Sequence, residues 1–270
     1  MGEDEFLYDV DAGGYWSLYM NTDIKNGSDT RDLSFEHHLG PVRRVDRNAF
    51  LLERARNKKV LHLGCADEPF VSLKLSNDAH LHAKLAAVTK ELWGVDLSAQ
   101  GISELRQAGF SNLICGDVER LGEVGELQGR PFDVIIAGEI IEHISNPGLF
   151  LKGCLQLCSK DTELILTTPN ALVYSQAIFA CLAREAIHPD HTLYWSPTTL
   201  KTLLMRNGFG IGEFWVYGDM PCVQLKSTEP IGKWFARVIL RGLDAVIRQT
   251  VVRFRPWLNN GLIVVARKQI

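Results

Sequence analysis

The 270-residue sequence lacks the cysteine pairs that mark a zinc site or a disulfide framework. It contains no C-x-x-C pair, and several cysteines lie in apolar runs, where a reduced thiol behaves as a small hydrophobic side chain. The six cysteines are Cys65, Cys115, Cys154, Cys158, Cys181 and Cys222. This pattern indicates a reducing compartment, and we expect a cytoplasmic protein.

Long hydrophobic runs and strong net charge are also missing. No apolar stretch reaches the roughly 20 residues that cross a bilayer, and the acidic amino terminus has no signal-peptide core. A net charge of −3 gives no overall attraction to nucleic acid, so a nucleic-acid partner is not favoured. Basic residues do cluster at 43–59 and 233–255. The second cluster leaves open a peripheral membrane contact through 231–255.

The composition, with 46% hydrophobic and 23% charged residues, predicts one large domain rather than two. Residues 1–40 are rich in Asp, Gly and aromatics without a sustained period, which predicts an extension or a cap over a pocket. Residues 41–270 form the predicted domain. We expect a basic amphipathic helical insertion within it, at about 219–259.

Helical and strand-like segments alternate from residue 41 onward, which predicts a doubly wound α/β fold with a mostly parallel sheet. Helices are predicted at 41–57, 70–90, 98–108, 119–128 and 147–158, and strands at 59–64, 92–97, 112–117, 132–138 and 163–168. Ser196-Pro197 begins a further helix that Asn207-Gly208 ends. Strand-like segments at 211–217 and 261–267 are expected to pair last.

Two strand ends carry the most informative residues. The first buried strand breaks at Gly64 into small residues, and the second ends at the carboxylate of Asp96. A carboxylate beside a tight strand-to-helix turn can accept both hydroxyls of a ribose, which indicates a nucleoside-containing cofactor. A nicotinamide-dependent oxidoreductase or epimerase shares these features. However, Asp96 follows Gly64 by 32 residues, whereas the dinucleotide fingerprint expects about 20.

The chain resembles the class I S-adenosylmethionine-dependent methyltransferases over roughly residues 41–217 and the last strand. The resemblance rests on ordered motifs: VLHLGCAD, LWGVDLS, ICGDVE, FDVIIAGEIIEHI, LILTTPN and HPDHTLYWSPTTLKTLLMRNGF. It is closest to the branch of ubiquinone-pathway and sugar or polysaccharide O-methyltransferases. The resemblance implies a seven-stranded sheet with an antiparallel last strand. The family loop usually reads G-x-G-x-G, whereas this chain keeps only Gly64.

The resemblance implies S-adenosyl-L-methionine as the cofactor and assigns residues to it. Small residues let the loop backbone approach the amino-acid end, Asp96 binds the ribose, and Asp117 accepts from the adenine amino group. An N-cap role for Asp117 is the competing interpretation. The predicted cofactor-binding residues are Gly64, Cys65, Ala66, Asp96, Leu97, Asp117, Val118 and Gly138.

A second group of residues points to catalysis. If a helical turn forms over 139–143, Glu139 projects near Glu142 and His143. In related methyltransferases a similar E-x-x-E-H cluster, with a distant histidine in some, binds a divalent metal. By this resemblance Glu139, Glu142, His143 and His191 are candidate ligands for Mg²⁺ or, better, Mn²⁺.

In a metal-free alternative, His143 or His191 acts as a general base. In a third interpretation, both histidines only form hydrogen bonds with the loop backbone. The predicted catalytic residues are His143, Glu142 and His191. We expect O-methylation of a small-molecule or glycan hydroxyl. A membrane-surface binding module without catalysis is the alternative from another class. The sequence specifies neither the acceptor nor the oligomeric state.

Overall fold

A computed structural model describes residues 37–181, 183–218 and 231–269. Almost all of the predicted extension at 1–40 therefore lies outside the described residues, as do insertion residues 219–230. One compact body begins at Leu39.

One mixed β-sheet forms the centre of this body. The described residues contribute eight strands to it: β1 (Arg43–Val45), β2 (Lys59–Leu63), β3 (Glu91–Asp96), β4 (Leu113–Cys115), β5 (Val134–Gly138), β6 (Glu163–Pro169), β7 (Phe209–Tyr217) and β8 (Gly261–Lys268). Their order is β1-β7-β8-β6-β5-β2-β3-β4, and β8 pairs antiparallel with both β6 and β7. The predicted α/β fold with an antiparallel last strand is confirmed, and β1 is an eighth strand that was not predicted.

Helices cover both faces of the sheet. They are α1 (Arg47–Ala55), α2 (Val71–Ser76), α3 (Leu81–Ala86), α4 (Ala99–Gln107), α5 (Pro147–Leu157), α6 (Tyr174–Cys181), α7 (Pro197–Arg206) and α8 (Ile231–Ile247). Neighbouring strand residues point to opposite faces, so Ile135 packs with Phe150 of α5, whereas Val134 packs with Leu51 of α1. The doubly wound arrangement follows from this alternation.

The predicted helix at 41–57 is wrong at its start. Arg43–Val45 is an edge strand that pairs parallel with Trp215–Tyr217 of β7. The helix begins only after Asp46, whose carboxylate accepts a 2.8 Å hydrogen bond from the backbone N–H of Ala49. A three-residue strand of this kind depends on a partner far along the chain, and local periodicity does not reveal it.

Two other predicted helices are interrupted. The segment predicted as a helix at 70–90 divides into α2 and α3, because Asp78 adopts a left-handed conformation with φ of 50°. The segment predicted at 119–128 forms two 3₁₀ turns, Val118–Glu123 and Gly125–Leu127. Glycines at 122 and 125 weaken a continuous α-helix there.

The carboxyl ends of β2, β3, β5 and β6 meet at one edge of the sheet, where β7 also ends. The long connection from β7 to β8 starts and finishes at this edge, since Gly261 is in register with both Tyr217 and Pro169. This connection contains α8, a π-helical turn at Arg248–Val252 and a 3₁₀ turn at Pro256–Leu258. No helix in the described ranges has the length and apolarity needed to cross a membrane.

Candidate active site

A cleft with a volume of about 910 Å³ lies at the carboxyl edge of the sheet. Loops after β2, β3, β4 and β5 form its walls, which is where open α/β sheets bind ligands. Seven of the eight residues predicted to bind the cofactor line it: Gly64, Cys65, Asp96, Leu97, Asp117, Val118 and Gly138. The eighth, Ala66, is fully buried, and its backbone N–H donates to Asp96.

The loop after β2 keeps its tight turn although it lacks two glycines of the family pattern. Gly64 has φ of 69°, and a Cβ placed there would overlap the side chain of Ile140, so glycine is required. Ala66 occupies the position of the second glycine. Its methyl group fits because the facing residue, Gly101 of α4, has no side chain. A Cβ at position 101 would lie only 2.6 Å from the Cβ of Ala66. One glycine on the neighbouring helix thus compensates for one missing from the loop.

Asp96 is fixed by two backbone donors at the end of β3. Its Oδ2 accepts from the N–H of Ala66 at 2.8 Å, and its Oδ1 accepts from the N–H of Ser98 at 2.9 Å. Ser98 itself caps α4 by accepting from Gly101 at 2.9 Å, so Asp96 is not needed as the cap. Each carboxylate oxygen keeps further acceptor capacity, and the residue lines the cleft.

Asp117 is both an N-cap residue and a residue of the cleft wall. Its Oδ1 accepts from the N–H of Glu119 at 2.9 Å, which makes it the N-cap of the following 3₁₀ turn. It also lines the cleft together with Leu97, which is 73% exposed, and the half-buried Val118. These two apolar side chains offer a surface on which an aromatic ring can pack.

Arg47, at the start of α1, is a cleft residue that the sequence motifs did not reveal. Its guanidinium lies against Gly138, where a Cβ would overlap Nη2, and its Nε donates to Oγ1 of Thr167 at 2.9 Å. The only indication in the sequence was that Arg47 belongs to the basic cluster at 43–59. Gly138 therefore makes room for a cation at the cleft wall.

The helical turn expected over 139–143 does not form at its first residue. Glu139 adopts a left-handed conformation with φ of 55°, and the turn begins at Ile140, whose carbonyl accepts from the N–H of His143 at 2.9 Å. Three contacts hold Glu139 in this conformation, which is uncommon for a residue with a Cβ. Its Oε1 accepts from Oγ1 of Thr167 at 2.8 Å and from the hydroxyl of Tyr217, and lies 3.8 Å from Nε of Arg47.

Three histidines meet beside this turn. The ring of His143 lies 4.6 Å from that of His191 and 5.7 Å from that of His188, measured between centroids. One ligand atom from each histidine lies within 4.8 Å of the others. The sequence analysis selected His143 and His191 and missed His188. Glu139 and Glu142 are not part of this group among the residues that the structure describes.

Glu142 lies beneath the cluster and is completely buried. Its Oε2 accepts from Oγ1 of Thr168 at 2.9 Å, while Oε1 has no partner in the described part of the chain. Burial, reinforced by the negative charge of Glu139, raises the pKa of Glu142 to about 8. The carbonyl of Glu142 accepts from the N–H of Thr192 at 2.8 Å and so holds the loop that carries His188 and His191.

His191 is the partly buried member of this group. Its Nδ1 is buried and has no hydrogen-bond partner among the described residues. Burial lowers the pKa of its imidazole, and the neighbouring rings of His143 and His188 lower that pKa further. A neutral imidazole is available to accept a proton or bind a metal ion.

A second, buried group of histidines lies behind the loop after β2. His80 forms a 3.0 Å hydrogen bond through Nε2 with the carbonyl oxygen of Ala66. The Nδ1 atoms of His62 and His82 lie 3.2 Å apart. Burial lowers the pKa of His82 to about 4 and that of His62 well below its usual range.

Two polar residues next to strand ends bond to the backbone of other segments. Asn170 donates from Nδ2 to the carbonyl of Asn259 at 2.9 Å and so holds the segment that precedes β8. Asp133 accepts from the N–H of Lys59 at 2.8 Å, at the amino end of β2 and away from the cleft.

Comparisons with known proteins agree with this geometry. A methyltransferase domain family model matches residues 35–212. The mitochondrial ubiquinone biosynthesis O-methyltransferase of Homo sapiens is 31% identical over 97 residues, which cover 34% of this chain and 26% of the relative. The ubiquinone biosynthesis O-methyltransferase of Nitrobacter winogradskyi is 28% identical over 182 residues, covering 63% of this chain and 64% of the relative. The chain thus matches less than two thirds of the length of each.

A solved structure supports the fold. The SAM-dependent methyltransferase of Archaeoglobus fulgidus superposes with a TM-score of 0.51 and 18% identity, over 82% of this chain and 91% of the other. Because the family model matches well over half of the sequence, the chain belongs to the methyltransferase domain family.

Proposed function

We propose that this protein transfers the methyl group of S-adenosylmethionine to a hydroxyl oxygen of a small-molecule acceptor. The observation that carries the proposal is that one cleft contains both a ribose-type carboxylate, Asp96, and the exposed ring of His143. The names of the ubiquinone biosynthesis relatives also specify O-methylation. A hydroxyl acceptor must lose its proton during transfer, and His143 belongs to a group of imidazoles suited to that task.

The donor half of the cleft is assigned residue by residue. Asp96 accepts from the ribose hydroxyls, and its two backbone contacts keep the carboxylate oriented before the cofactor arrives. Leu97 and Val118 pack on the adenine, and Asp117 accepts from its amino group. We assign Arg47 to the carboxylate of the methionine portion, because its guanidinium lies at the cleft wall beside Gly138.

The histidine cluster also fits a divalent metal ion. The buried Nδ1 of His191 lacks a partner in the described residues, and three imidazoles converge within 4.8 Å. Such a donor set favours a transition ion over Mg²⁺, which prefers oxygen ligands. His143, His188 and His191 would hold the ion, which would lower the pKa of an acceptor hydroxyl bound to it. Glu142 supports the site from below through the loop that its carbonyl fixes.

Methyl transfer itself asks little covalent chemistry of the protein, because the sulfonium carbon is already activated. The residues of the cleft orient the acceptor oxygen in line with the methyl group and exclude water. When no metal ion is bound, an imidazole of the cluster accepts the hydroxyl proton. His143 is the member of the cluster that lines the cleft, so we assign this contact to it.

The proposal is tested by incubating the protein with S-adenosylmethionine labelled in its methyl group and a panel of acceptors. The panel contains a phenol, a catechol, a sugar with free hydroxyls and a primary amine, with and without Mn²⁺. Mass spectrometry should locate the label on oxygen. His143→Ala should lower turnover while leaving the affinity for S-adenosylhomocysteine unchanged. Label found only on the amine would refute O-methylation, although the cofactor assignment would stand.

A further inference from the structure

The connection between β7 and β8 presents an apolar face to solvent. Ile239, Leu243 and Val246 are three or four residues apart and so share one side of α8. Their exposed fractions are 65%, 55% and 57%. Beyond the helix, Val251 and Phe254 are 48% and 72% exposed. Large exposed apolar side chains in such a group mark a surface that contacts a partner or a membrane.

The opposite side of α8 is already packed. Asp244 is 2% exposed and accepts hydrogen bonds from the hydroxyl of Tyr174 and, at 3.2 Å, from Nε of Arg248. Ile247 and Val252 pack in a cluster with Tyr174 of α6. The helix is therefore anchored through one side, and its exposed apolar face is not the side that secures it to the sheet.

The segment 231–255 is strongly basic in a protein that is acidic as a whole. It contains one acidic residue, Asp244, which is buried and bonded. Its basic residues are Lys233, Arg237, Arg241, Arg248, Arg253 and Arg255. The whole chain has a net charge of −3, so this segment has the sign of charge that an anionic surface attracts.

A cavity of about 600 Å³ adjoins the π-helical turn at the end of α8. Its described lining residues include Arg44, Arg248, Gln249, Arg253 and Asn259. Arg248 also donates to Asp244, and Asn259 to the carbonyl of Pro256. Guanidinium groups bind phosphate oxygens through paired hydrogen bonds. The cavity thus offers a site for a phosphate group next to the exposed side chains of Val251 and Phe254.

We propose that segment 231–255 docks the protein on a membrane that contains anionic phospholipids. The apolar face enters the interfacial region of the bilayer, and a phosphodiester headgroup occupies the arginine-lined cavity. An isologous dimer through the same face would bring two basic segments together, which their charge opposes. An anionic bilayer instead supplies both an apolar phase and negative charge. This inference does not depend on the methyl acceptor.

The docking surface lies at the functional edge of the sheet. The segment leaves β7 and returns to β8 at the edge where β2 and β3 end beside the cofactor cleft. Arg44 of the cavity and Arg47 of the cleft are also only three residues apart in sequence, on either side of the start of α1. Docking through 231–255 would therefore bring this edge of the sheet toward the bilayer.

The test is co-sedimentation of the full chain with vesicles of phosphatidylcholine alone and of phosphatidylcholine mixed with phosphatidylglycerol. The protein should bind the anionic vesicles, bind the neutral ones at least about tenfold more weakly, and be released by salt. Leu243→Glu should reduce binding by at least about tenfold because it places a charge in the apolar face. Arg253→Gln should reduce binding to the anionic vesicles and lessen its salt dependence.

Matched variants separate docking from general effects. Leu149→Glu alters a leucine of α5 that is 52% exposed, close to the 55% of Leu243, and should leave binding unchanged. Arg206→Gln, at the exposed end of α7, is the control for Arg253→Gln. Circular dichroism checks that every variant is folded.

Four results would overturn the proposal. The first is no binding of the wild type to anionic vesicles, and the second is equal loss in Leu243→Glu and Leu149→Glu. The third is a protein that forms a dimer, does not bind vesicles, and loses the dimer in Leu243→Glu. That result would assign the apolar face to contact with a second copy of the chain. The fourth is a protein that does not bind vesicles but is thermally stabilised by inorganic phosphate, with the stabilisation lost in Arg253→Gln. That result would assign the cavity to a soluble phosphate ligand.

Discussion

Two groups of three histidines each contribute to the lining of the same cleft, and they differ in burial. The inner triad consists of His62, His80 and His82, each at most 3% exposed. The outer triad consists of His143, His188 and His191, of which the first two are exposed. Burial lowers the pKa of His62 and His82 and so disfavours their charged forms. The outer rings are accessible to an ion or an acceptor.

The comparison shows how one residue type serves two halves of a site. His80 bonds to the carbonyl of Ala66, and the N–H of Ala66 donates to Asp96. The inner triad therefore positions the loop that orients the ribose carboxylate. The outer triad lies on the turn after β5 and on the loop after α6, where the acceptor is proposed to bind. Burial, rather than residue identity, separates the two functions.

The largest expected effect is a loss of stability in mild acid. His62 and His82 stay neutral in the folded protein, whereas in the unfolded chain they titrate near their usual value of about 6.5. Unfolding then takes up protons, so the free energy of unfolding falls as the pH drops below that value. Between pH 6.5 and pH 5 we expect His82 to contribute a loss of about 1.6 kcal/mol, with His62 acting in the same direction and Glu142, whose pKa is raised, in the opposite one.

Urea unfolding at pH 7.5, 6.5, 5.5 and 5 measures this dependence. In His82→Gln the free energy of unfolding should fall by about 1.6 kcal/mol less than in the wild type between pH 6.5 and pH 5, since the contribution of His82 is gone. His188→Gln, on the exposed outer triad, should leave the pH dependence as it is in the wild type. The same flattening in both variants would abolish the distinction between the triads.

The second prediction concerns metal binding to the outer triad. When Mn²⁺ is titrated into the protein, the electron paramagnetic resonance signal of free Mn²⁺ should decrease as the ion binds. Mn²⁺ should bind more tightly than Mg²⁺ because the donors are imidazoles. Removing a ligand in His188→Ala or His191→Ala should weaken binding by at least about tenfold, since even loss of a supporting partner costs that much. His82→Gln should not change it. Mn²⁺ affinity that survives His188→Ala would remove His188 from the cluster.

A smaller effect is expected from the inner triad on the cofactor. His80→Ala removes one hydrogen bond to the loop carbonyl of Ala66, worth about 1 kcal/mol, which corresponds to roughly a fivefold rise in Kd for S-adenosylhomocysteine. Calorimetric titration measures the Kd. The thermal midpoint of the unliganded protein, recorded alongside, separates this effect from simple unfolding. An unchanged Kd would mean that the loop keeps its conformation without His80.

Residues within contiguous motifs could be predicted from the sequence, because their function follows from the local chain. Gly64 ends a buried strand where only glycine fits, and Asp96 ends the next strand. The parallel arrangement then brings both to one edge of the sheet. Ser98, the cap of α4, is equally local.

The residues that were missed or misplaced depend on contacts between distant parts of the chain. Arg47 reaches the cleft only because β1 pairs with β7 and sets the start of α1. His188 joins the outer triad because the carbonyl of Glu142 holds its loop. The left-handed conformation of Glu139 likewise depends on Thr167 and Tyr217. No local periodicity contains this information.

The central claim is that Asp96 holds the donor while His143 serves the acceptor, and calorimetric titration with S-adenosylhomocysteine tests it most directly. Asp96→Ala should raise Kd by about tenfold or more, because hydrogen bonds to a charged group contribute about 1.5–3 kcal/mol. Asp133→Ala, which removes a carboxylate at the opposite edge of the sheet, is the matched control. We predict that His143→Ala and Asp133→Ala bind like the wild type. Wild-type affinity in Asp96→Ala, or a loss in His143→Ala as large as that in Asp96→Ala, would contradict the account.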